Sequence, residues 1–389
     1  MNILFDFIPF QHAQGIGGHA SFTKTILDEL LRRRGGDTHI FAATDSGMPD
    51  CKAYDISQLC TDNAITTVDL AKEPLCDVIR EKHIDLLFIA IGQLYAKYDL
   101  QGISCKTILF IHDIFDVERY HSKLDVMLYD RYKDSFWTQA KRMMNLYGGR
   151  WKRQMRKCYD SLMPLYNAPT TIAYTVSEYS RQALRYYFPE TDKDIRVCYS
   201  PLKITKRKDT IENPTLRSLI ESGKPYLFMV AANRRYKNPV TVIKACKRLW
   251  LEGNETVLLT LRYGHSVDPS HIDIDFLSDS DMENAYKYAK ALLFPSFCEG
   301  FGYPPVEAMK YGTPTIASNV TSIPEIVGNA GFYFSPFSPP DLYRTIKDVL
   351  NTRNMKREQM AIRYQTITQR QEKDLQQLME EFFEMKNEK

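Results

Sequence analysis

The chain has 389 residues, in which 51 lysines and arginines are balanced by 48 aspartates and glutamates. This length exceeds the usual size of one compact domain, so we expect two domains. The nearly neutral balance gives no electrostatic reason to expect nucleic acid as a partner. The 8 cysteines include no C-x-x-C pair, which argues against a zinc site and a disulfide framework and fits a reducing cytosol.

Neither end of the chain predicts insertion into a membrane. The start, Met1 to Phe10, lacks the charged region, apolar stretch and cleavage site of a signal peptide. No run approaches the roughly 18 apolar residues of a spanning helix. We therefore expect a cytoplasmic protein that is soluble or bound peripherally at the inner face of the membrane.

Short apolar runs alternate with helix-like segments, which predicts an α/β fold with parallel sheets. The runs before a polar stretch at 203–224 are Ile3–Ile8, His39–Ala43, Leu86–Ile91, Thr107–Ile111 and Thr171–Val176. Those after it are Tyr226–Ala232, Val257–Leu261, Ala291–Phe294 and Thr315–Ala317. The polar stretch is predicted to be a surface linker. The charged tail at 369–389 is either a solvated helix or a functional one.

The segment from Phe294 to Gly331 carries the strongest chemical signal. After a strand it has a glycine-rich turn with Gly300 and Gly302, and a helix follows. Such a turn and the free amides of a helix start bind phosphate at the carboxyl end of a parallel strand. Glu299 lies in the turn and Glu307 about one helical turn beyond it. Carboxylates suit the binding of hydroxyl groups, although Glu307 alone could simply offset the helix dipole.

The whole string, with EGFG, EAM, GTP and a following SxxPE at 322–325, resembles the retaining glycosyltransferases of family 4. These enzymes have the GT-B fold of two Rossmann-like doubly wound domains facing across a cleft. Their signature is two glutamates with seven residues between them, and Glu299 and Glu307 have that spacing. The resemblance implies a nucleotide diphosphate sugar as donor, with Glu299 at the sugar and Glu307 at the ribose.

The resemblance extends the implied donor site to neighbouring residues. It includes the turn itself, Gly300, Phe301, Gly302 and Tyr303. The segment that begins at Leu277 resembles the family's helix before this strand, so Tyr286 is expected either to contact the nucleotide base or to pack inside the protein. A second segment, TVSEYSR at 175–181, resembles the family's TVSEFSR, in which we expect Ser177 to cap a helix.

A nucleotide diphosphate leaves as an anion, so an enzyme without a metal must place fixed positive charge beside it. Lys237 follows the first strand of the second domain in VAANRRYKNP and matches the family's Lys-Asn pair. Either Arg234 or Arg235 is expected to join it. The family often has glycine where this chain has Ala231 and Ala232, which leaves open how closely the backbone approaches the donor.

In the first half, Gly15, Gly17 and Gly18 precede an amphipathic helix. The resemblance implies that this loop faces the donor diphosphate and the acceptor. The same residues also satisfy the dinucleotide fingerprint G-x-G-x-x-A through Ala20. That alternative is weak because 9–14 separate the glycines from the strand, and no acidic residue ends the second strand at the expected spacing.

His112 and Asp113 follow the apolar run that ends at Ile111. Sites in α/β proteins form at the carboxyl ends of strands. The segment TILFIHDIF resembles the family's HD segment, in which the histidine faces the donor sugar. We therefore expect His112 to bind a sugar hydroxyl rather than to act as an inverting base, with a purely structural histidine as the alternative.

The stretch 141–157 is rich in positive charge and has no acidic residue. Its basic residues are Lys141, Arg142, Arg150, Lys152, Arg153, Arg156 and Lys157. Either this is a solvated helical face, or it contacts anionic membrane lipid or a lipid diphosphate acceptor.

A DxD pair at Asp279 and Asp281 could suggest a metal-dependent transferase, but a cap on a helix that begins near Met282 is favoured. No metal and no cofactor are expected. The remaining alternatives are a GT-B epimerase or hydrolase of nucleotide sugars and a noncatalytic nucleotide-sugar binder. A phosphorylase would need a pyridoxal phosphate lysine, which nothing in the sequence suggests.

These inferences predict an acceptor-binding domain at 1–205, a nucleotide-sugar-binding domain at 206–365 and a C-terminal helix at 366–389 that packs back on the first domain. The resemblance implies transfer of mannose or another hexose to a glycan or lipid-linked acceptor, in the synthesis of surface polysaccharide or lipopolysaccharide. The donor base, the sugar and the linkage stay open, because a fold does not fix a substrate.

Overall fold

The computed structural model describes residues 1–12, 17–49, 53–123, 134–202, 210–352 and 356–384. Its first sheet is parallel, with the strand order β3-β2-β1-β4-β5-β6-β7. The strands are β1 (Asn2–Asp6), β2 (His39–Thr44), β3 (Thr66–Asp69), β4 (Leu86–Ile89), β5 (Lys106–Phe110), β6 (Thr171–Thr175) and β7 (Ile195–Val197). All four residues of β4 are buried, as expected of a strand covered on both faces.

Helices connect these strands. They are α1 (Ile8–Gln11), α2 (Gly18–Arg33), α3 (Ile56–Asp62), α4 (Leu75–Glu81), α5 (Gly92–Tyr95), α6 (Phe115–Ser122), α7 (Phe136–Tyr147), α8 (Arg150–Asn167) and α9 (Glu178–Tyr187). The predicted cap at Ser177 is present: its hydroxyl accepts the Ser180 amide at 3.1 Å, and α9 begins at the next residue.

The second sheet is also parallel, in the order β10-β9-β8-β11-β12-β13. Its strands are β8 (Tyr226–Met229), β9 (Val257–Leu261), β10 (His271–Ile274), β11 (Ala291–Phe294), β12 (Thr315–Ser318) and β13 (Phe332–Phe334). The accompanying helices are α10 (Pro214–Glu221), α11 (Pro239–Leu251), α12 (Asp279–Tyr288), α13 (Tyr303–Lys310), α14 (Ile323–Val327), α15 (Pro339–Asn351) and α16 (Arg357–Phe383). Both sheets are doubly wound, which confirms the predicted α/β class. Their strand orders reverse between β1 and β4 and between β8 and β11, where such sheets bind ligands.

The chain forms two compact units. The first consists of 1–120, 145–204 and 370–389, and the second of 121–144 and 205–369. The predicted boundaries would put 121–144 in the first unit. They group with the second because the buried Asp134 carboxylate accepts hydrogen bonds from the Arg235 guanidinium. That pairing is invisible to a boundary drawn from composition.

The predicted surface linker at 203–224 is only partly described, since 203–209 lie outside the described residues. Its second half is not a plain surface connection. Asn213 caps α10 by accepting the Leu216 amide at 3.0 Å, and Leu216 and Leu219 are buried in the core of the second unit. The polar composition of this stretch concealed a short helix with two core side chains.

In the described part of the tail, one face of α16 is buried and the charged face is exposed, so the helix is not solvated on all sides. Leu378, Met379 and Phe382 of α16 are fully buried. The Phe382 ring lies 5.2 Å from the ring of Phe88 in the first unit. In the same unit, the Asp374 carboxylate accepts the backbone amide of Tyr199 at 3.0 Å. The apolar stripe of the helix was obscured by the many charges on its other face.

No helix in the described residues is both long enough and apolar enough to cross a membrane.

Candidate active site

The turn after β11 places Glu299 in a fixed backbone frame. Gly302 ends the turn with φ of 100°, a conformation that favours glycine, and α13 starts at the next residue. The buried Ser322 hydroxyl donates to the carbonyls of Glu299 at 2.9 Å and Phe301 at 3.2 Å. The Glu299 amide donates to the Thr321 hydroxyl at 3.2 Å. The SxxPE motif therefore starts with a residue that holds the glutamate turn.

The loop after β8 is held against the same turn. The Phe297 amide donates to the Tyr236 carbonyl at 2.8 Å, and the Asn238 side chain donates to the Pro336 carbonyl at 2.9 Å. Ala231 adopts φ of 55°, a conformation that costs a residue with Cβ roughly 1–2 kcal/mol. The chain thus keeps a glycine-like backbone at a position where the family often has glycine.

These two loops bring Lys237 and Glu299 together. The Lys237 ammonium donates to the Glu299 carboxylate, with 2.5 Å between Nζ and Oε1. Lys237 is only 8% exposed. Its Nζ also lies 4.9 Å from the centre of the Phe294 ring, close enough for a cation–π contact. Since β8 and β11 are neighbours where the strand order reverses, the pair occupies the expected ligand position of a doubly wound sheet.

The two candidate arginines differ in what they contact. Arg235 binds the fully buried Asp134 carboxylate, with 2.6 Å for one of its two bonds, and Arg142 binds the same carboxylate at 3.1 Å. Arg235 is thereby committed to a buried ion pair. Arg234 is exposed, and its guanidinium donates to the Tyr236 hydroxyl at 3.0 Å.

Glu307 lies on the first turns of α13 and is held by Tyr286. The Tyr286 hydroxyl donates to Glu307 Oε2 at 2.6 Å. The Tyr286 ring is buried against Phe228 at 5.2 Å. Burial and the neighbouring Glu307 charge raise the pKa of Tyr286 well above its usual value of 10.0, so the phenol stays a hydrogen-bond donor. The structure places Tyr286 in the packing position, where it orients the carboxylate.

In the first unit, His112 follows β5 and is 6% exposed. Its Nε2 lies 3.0 Å from the Ala90 carbonyl. A carbonyl only accepts, so Nε2 carries the proton. Burial, with a contribution from His19, lowers the pKa of His112 well below 6.5. The ring is therefore neutral near pH 7, and its Nδ1 is a hydrogen-bond acceptor.

The start of α2 lies beside this imidazole. Gly17 adopts φ of 133° and precedes the first residue of α2, Gly18. One residue later, the His19 ring is 5.1 Å from the His112 ring. The structure therefore brings Gly17, Gly18 and His112 together in one region, while Gly15 lies outside the described residues.

Asp6 is linked to His112 through the backbone of Ala90. The sequence did not lead us to predict this role for Asp6. Asp6 is fully buried at the end of β1 and accepts the amides of Ile8 and Ala90, each at 3.0 Å, and the Tyr95 hydroxyl at 3.1 Å. Burial raises the pKa of Asp6 to about 7. Because Ala90 also accepts the His112 proton, Asp6 fixes the backbone that fixes the imidazole. The sequence signal that could have indicated Asp6 is its position as an acidic residue at the end of a buried first strand.

The DxD pair serves the helix start, as favoured from the sequence. Ser278 and Asp281 form a capping box on α12, which begins at Asp279, three residues before the predicted start. Asp281 also accepts the Glu212 amide at 2.7 Å. In the described residues no group of three or more metal-binding side chains comes together.

Comparison with known proteins gives a family match for part of the chain. Residues 215–366 match the model described as glycosyl transferases group 1. This match covers most of the second half of the chain. The serotype-specific mannosyltransferase WbdA of Escherichia coli is 40% identical over 111 residues, which are 28% of this chain and 14% of that protein. The O-antigen chain mannosyltransferase RfbU of Salmonella typhimurium is 26% identical over 190 residues, 46% of this chain and 50% of that protein. The chain thus spans half or less of these relatives.

Solved structures resemble the chain over nearly its whole length. Sucrose-phosphate synthase from Thermosynechococcus elongatus superposes with a TM-score of 0.64 at 15% identity, covering 99% of each chain. Anabaena Alr3699/HepE in complex with UDP-glucose superposes with a TM-score of 0.63 at 15% identity, covering 97% of this chain and 99% of that one. At such identities the likeness concerns the fold, and it confirms the predicted GT-B fold.

Proposed function

We propose that this protein is a retaining glycosyltransferase. It moves mannose, or another hexose, from a nucleotide diphosphate sugar to a glycan or lipid-linked acceptor in the synthesis of surface polysaccharide or lipopolysaccharide. The observation that carries the proposal is the Lys237–Glu299 pair, 2.5 Å between Nζ and Oε1, in the turn that precedes the helix of Glu307. It lies in the domain that matches the group 1 glycosyltransferases.

Each charged group has a role in this proposal. The bond between the sugar C1 and the diphosphate oxygen breaks, so negative charge develops on the leaving diphosphate. Lys237 and Arg234 compensate that charge, because Arg235 is committed to Asp134. Glu299 binds the transferred sugar and Glu307 binds the ribose hydroxyls. The turn Gly300, Phe301, Gly302 and Tyr303 brings the backbone close to the donor.

His112 supports transfer with retention rather than inversion. Its pKa lies well below 6.5, so it is a weak base. Its Nε2 proton is donated to the Ala90 carbonyl, so Nδ1 can accept a hydrogen bond from a hydroxyl group. We propose that His112 accepts a hydrogen bond from a donor sugar hydroxyl, with Gly17 and Gly18 at the diphosphate.

The relatives support mannose as the transferred sugar and surface polysaccharide synthesis as the process. WbdA, RfbU and the O-antigen chain mannosyltransferase B of Escherichia coli, which is 46% identical over 63 residues, are all described as mannosyltransferases. We propose a cytoplasmic location, which agrees with the free state of the seven cysteines that the structure describes. We also propose that no metal or other cofactor takes part, since the two cationic side chains supply the charge that a metal would.

The first test is a panel of UDP-, GDP- and ADP-linked sugars in thermal unfolding. A ligand at one hundred times its Kd stabilises the folded state by about 2.7 kcal/mol. We expect one base to raise the Tm, and Glu307→Gln to abolish most of that shift. Tyr288→Phe, a substitution of an exposed tyrosine on α12, is the control. A panel in which no nucleotide sugar changes the Tm contradicts the proposal.

The second test measures transfer with the donor that the panel selects. Radiolabelled sugar should enter a glycan or lipid-linked fraction with its anomeric configuration retained, and a chelator should not stop the reaction. Release of free sugar alone would indicate a hydrolase, and a changed sugar still attached to the nucleotide would indicate an epimerase. Binding without turnover would indicate a noncatalytic binder, and each of these results rejects transfer.

A further inference from the structure

Helix α7 carries its apolar side chains on the outside. Phe136 is 75% exposed, Trp137 78%, Met144 67%, Tyr147 65% and Met143 45%. Eleven large apolar side chains are exposed in the described part of the chain, and five of them lie on this one helix of 12 residues. Scattered exposed apolar side chains need no explanation, but such a concentration indicates a contact surface.

The five side chains form a stripe rather than a random set. At about 100° per residue, they fall within an arc of roughly 120° around the helix axis. The side of α7 opposite the stripe contains the residues of this helix that contact the rest of the protein. Leu146 is buried there, and Arg142 binds the fully buried carboxylate of Asp134. The charged contact is therefore buried and the apolar stripe is exposed, the reverse of an ordinary surface helix.

The next helix, α8, begins two residues later and is basic at its start. Its exposed basic residues are Arg150, Lys152, Arg153, Arg156 and Lys157. They fall within an arc of roughly 160°, and the buried residues of α8, from Tyr159 to Tyr166, lie on the remaining side. No acidic residue occurs between 136 and 159. Along the chain, the exposed apolar side chains of α7 are thus followed by the exposed positive charge of α8.

We propose that α7 and the start of α8 dock on the surface of an anionic lipid bilayer. The apolar stripe of α7 enters the boundary between head groups and acyl chains, where Trp and Tyr are favoured. The basic residues of α8 bind lipid phosphates. Charge complementarity selects this occupant, because a protein partner for the apolar stripe would not require five basic residues within eight positions without a single acid. The inference goes beyond the proposed transfer reaction and does not depend on it.

The first experiment is co-sedimentation of the full chain with vesicles. We expect binding to vesicles of phosphatidylcholine with one third phosphatidylglycerol at low salt, weaker binding at high salt, and little binding to phosphatidylcholine alone. The variant Phe136→Ser, Trp137→Ser, Met144→Ser should lose about tenfold or more in partitioning. The control Leu251→Ser, Phe276→Ser, Ile362→Ser removes equally exposed apolar side chains elsewhere and should bind as the unchanged protein does.

The second experiment changes only charge. The variant Arg153→Gln, Arg156→Gln, Lys157→Gln should lose about a hundredfold in binding to anionic vesicles, since each basic residue near the surface contributes about fivefold. The control Lys244→Gln, Lys287→Gln, Lys290→Gln removes three exposed charges of the second unit and should change binding little.

Three outcomes overturn the proposal. The first is no binding of the unchanged protein to anionic vesicles at low salt. The second is equal binding by the α7 variant and its control. The third is a protein that does not bind vesicles but self-associates in sedimentation velocity without them, with the self-association abolished in the α7 variant. Because these measurements need no donor and no turnover, they can fail while the proposed transfer reaction holds.

Discussion

The two units have the same kind of sheet, yet they hold their candidate site residues in different ways. In the second unit two opposite charges meet directly, with Lys237 on Glu299. In the first unit one neutral ring is held through backbone, since His112 donates to Ala90 and Ala90 donates to Asp6. In the proposed function, charge compensation falls to the second unit and neutral hydroxyl recognition to the first.

Lys237 and His112 are buried to a similar extent but have different neighbours. Lys237 is 8% exposed and His112 is 6% exposed, so both lie out of water. Lys237 has a carboxylate and the Phe294 ring beside it, and these stabilise its charge. His112 has the rings of Phe22 and His19 beside it, and burial depresses its pKa. At similar burial, Lys237 has a carboxylate within hydrogen-bond distance, whereas the two rings beside His112 supply no negative charge.

Removal of the Lys237 ammonium should have the largest effect. Loss of one electrostatic group at a developing charge costs about 100-fold to 1,000-fold in turnover. We expect Lys237→Ala to lower kcat on that scale and to leave the far-ultraviolet circular dichroism unchanged. Lys247→Ala, which removes a looser pair with Asp268 at 3.6 Å, is the control. Near-normal turnover in Lys237→Ala would remove the charge-compensating role from Lys237.

The two neighbouring arginines should separate function from stability. We expect Arg234→Ala to lower kcat/KM by about 10-fold to 100-fold with little change in Tm. Arg235→Ala should instead lower the free energy of unfolding by about 1–3 kcal/mol, because the buried Asp134 would lose one of its two arginine partners. Steady-state kinetics and urea unfolding of both variants check this. The reverse assignment, with the rate lost in Arg235→Ala, would contradict it.

Loss of the Tyr286 hydroxyl should have a smaller effect on binding. Tyr286→Phe removes the hydrogen bond from Tyr286 to the Glu307 carboxylate, and we expect KM for the donor to rise about tenfold while kcat changes little. The matched control is Tyr226→Phe, which removes a buried hydroxyl that donates to the Ala285 carbonyl at 2.8 Å. Both variants should lose similar stability. An equal rise in KM in the control would reduce Tyr286 to a packing residue.

Local patterns in the sequence predicted the long buried strands and the contiguous glutamate turn. They missed the edge strands β3, β7, β10 and β13, each of three or four residues, because so few residues give no clear period. They also missed contacts between distant residues. Asp134 and Arg235 are 101 positions apart, and Asp6 and Ala90 are 84 apart. Composition cannot place such pairs, so the supports of the site became visible only in the structure.

The smallest expected effect tests the neutral state of His112 through the pH dependence of stability. The unfolded chain binds a proton at this residue below about pH 6.5, whereas the folded protein, whose His112 pKa is lowered, does not. Stability from this group is therefore present above pH 6.5 and is lost as the pH falls, by about 1 kcal/mol between pH 7 and 5.5. We expect His112→Gln to remove that part of the decline in urea unfolding, because glutamine can still donate to Ala90 but does not titrate. His39→Gln, at the exposed start of β2, is the control and should keep the full decline. If His112→Gln also kept it, the ring would be able to take up a proton in the folded protein, and the contrast between a charged and a neutral site would not hold.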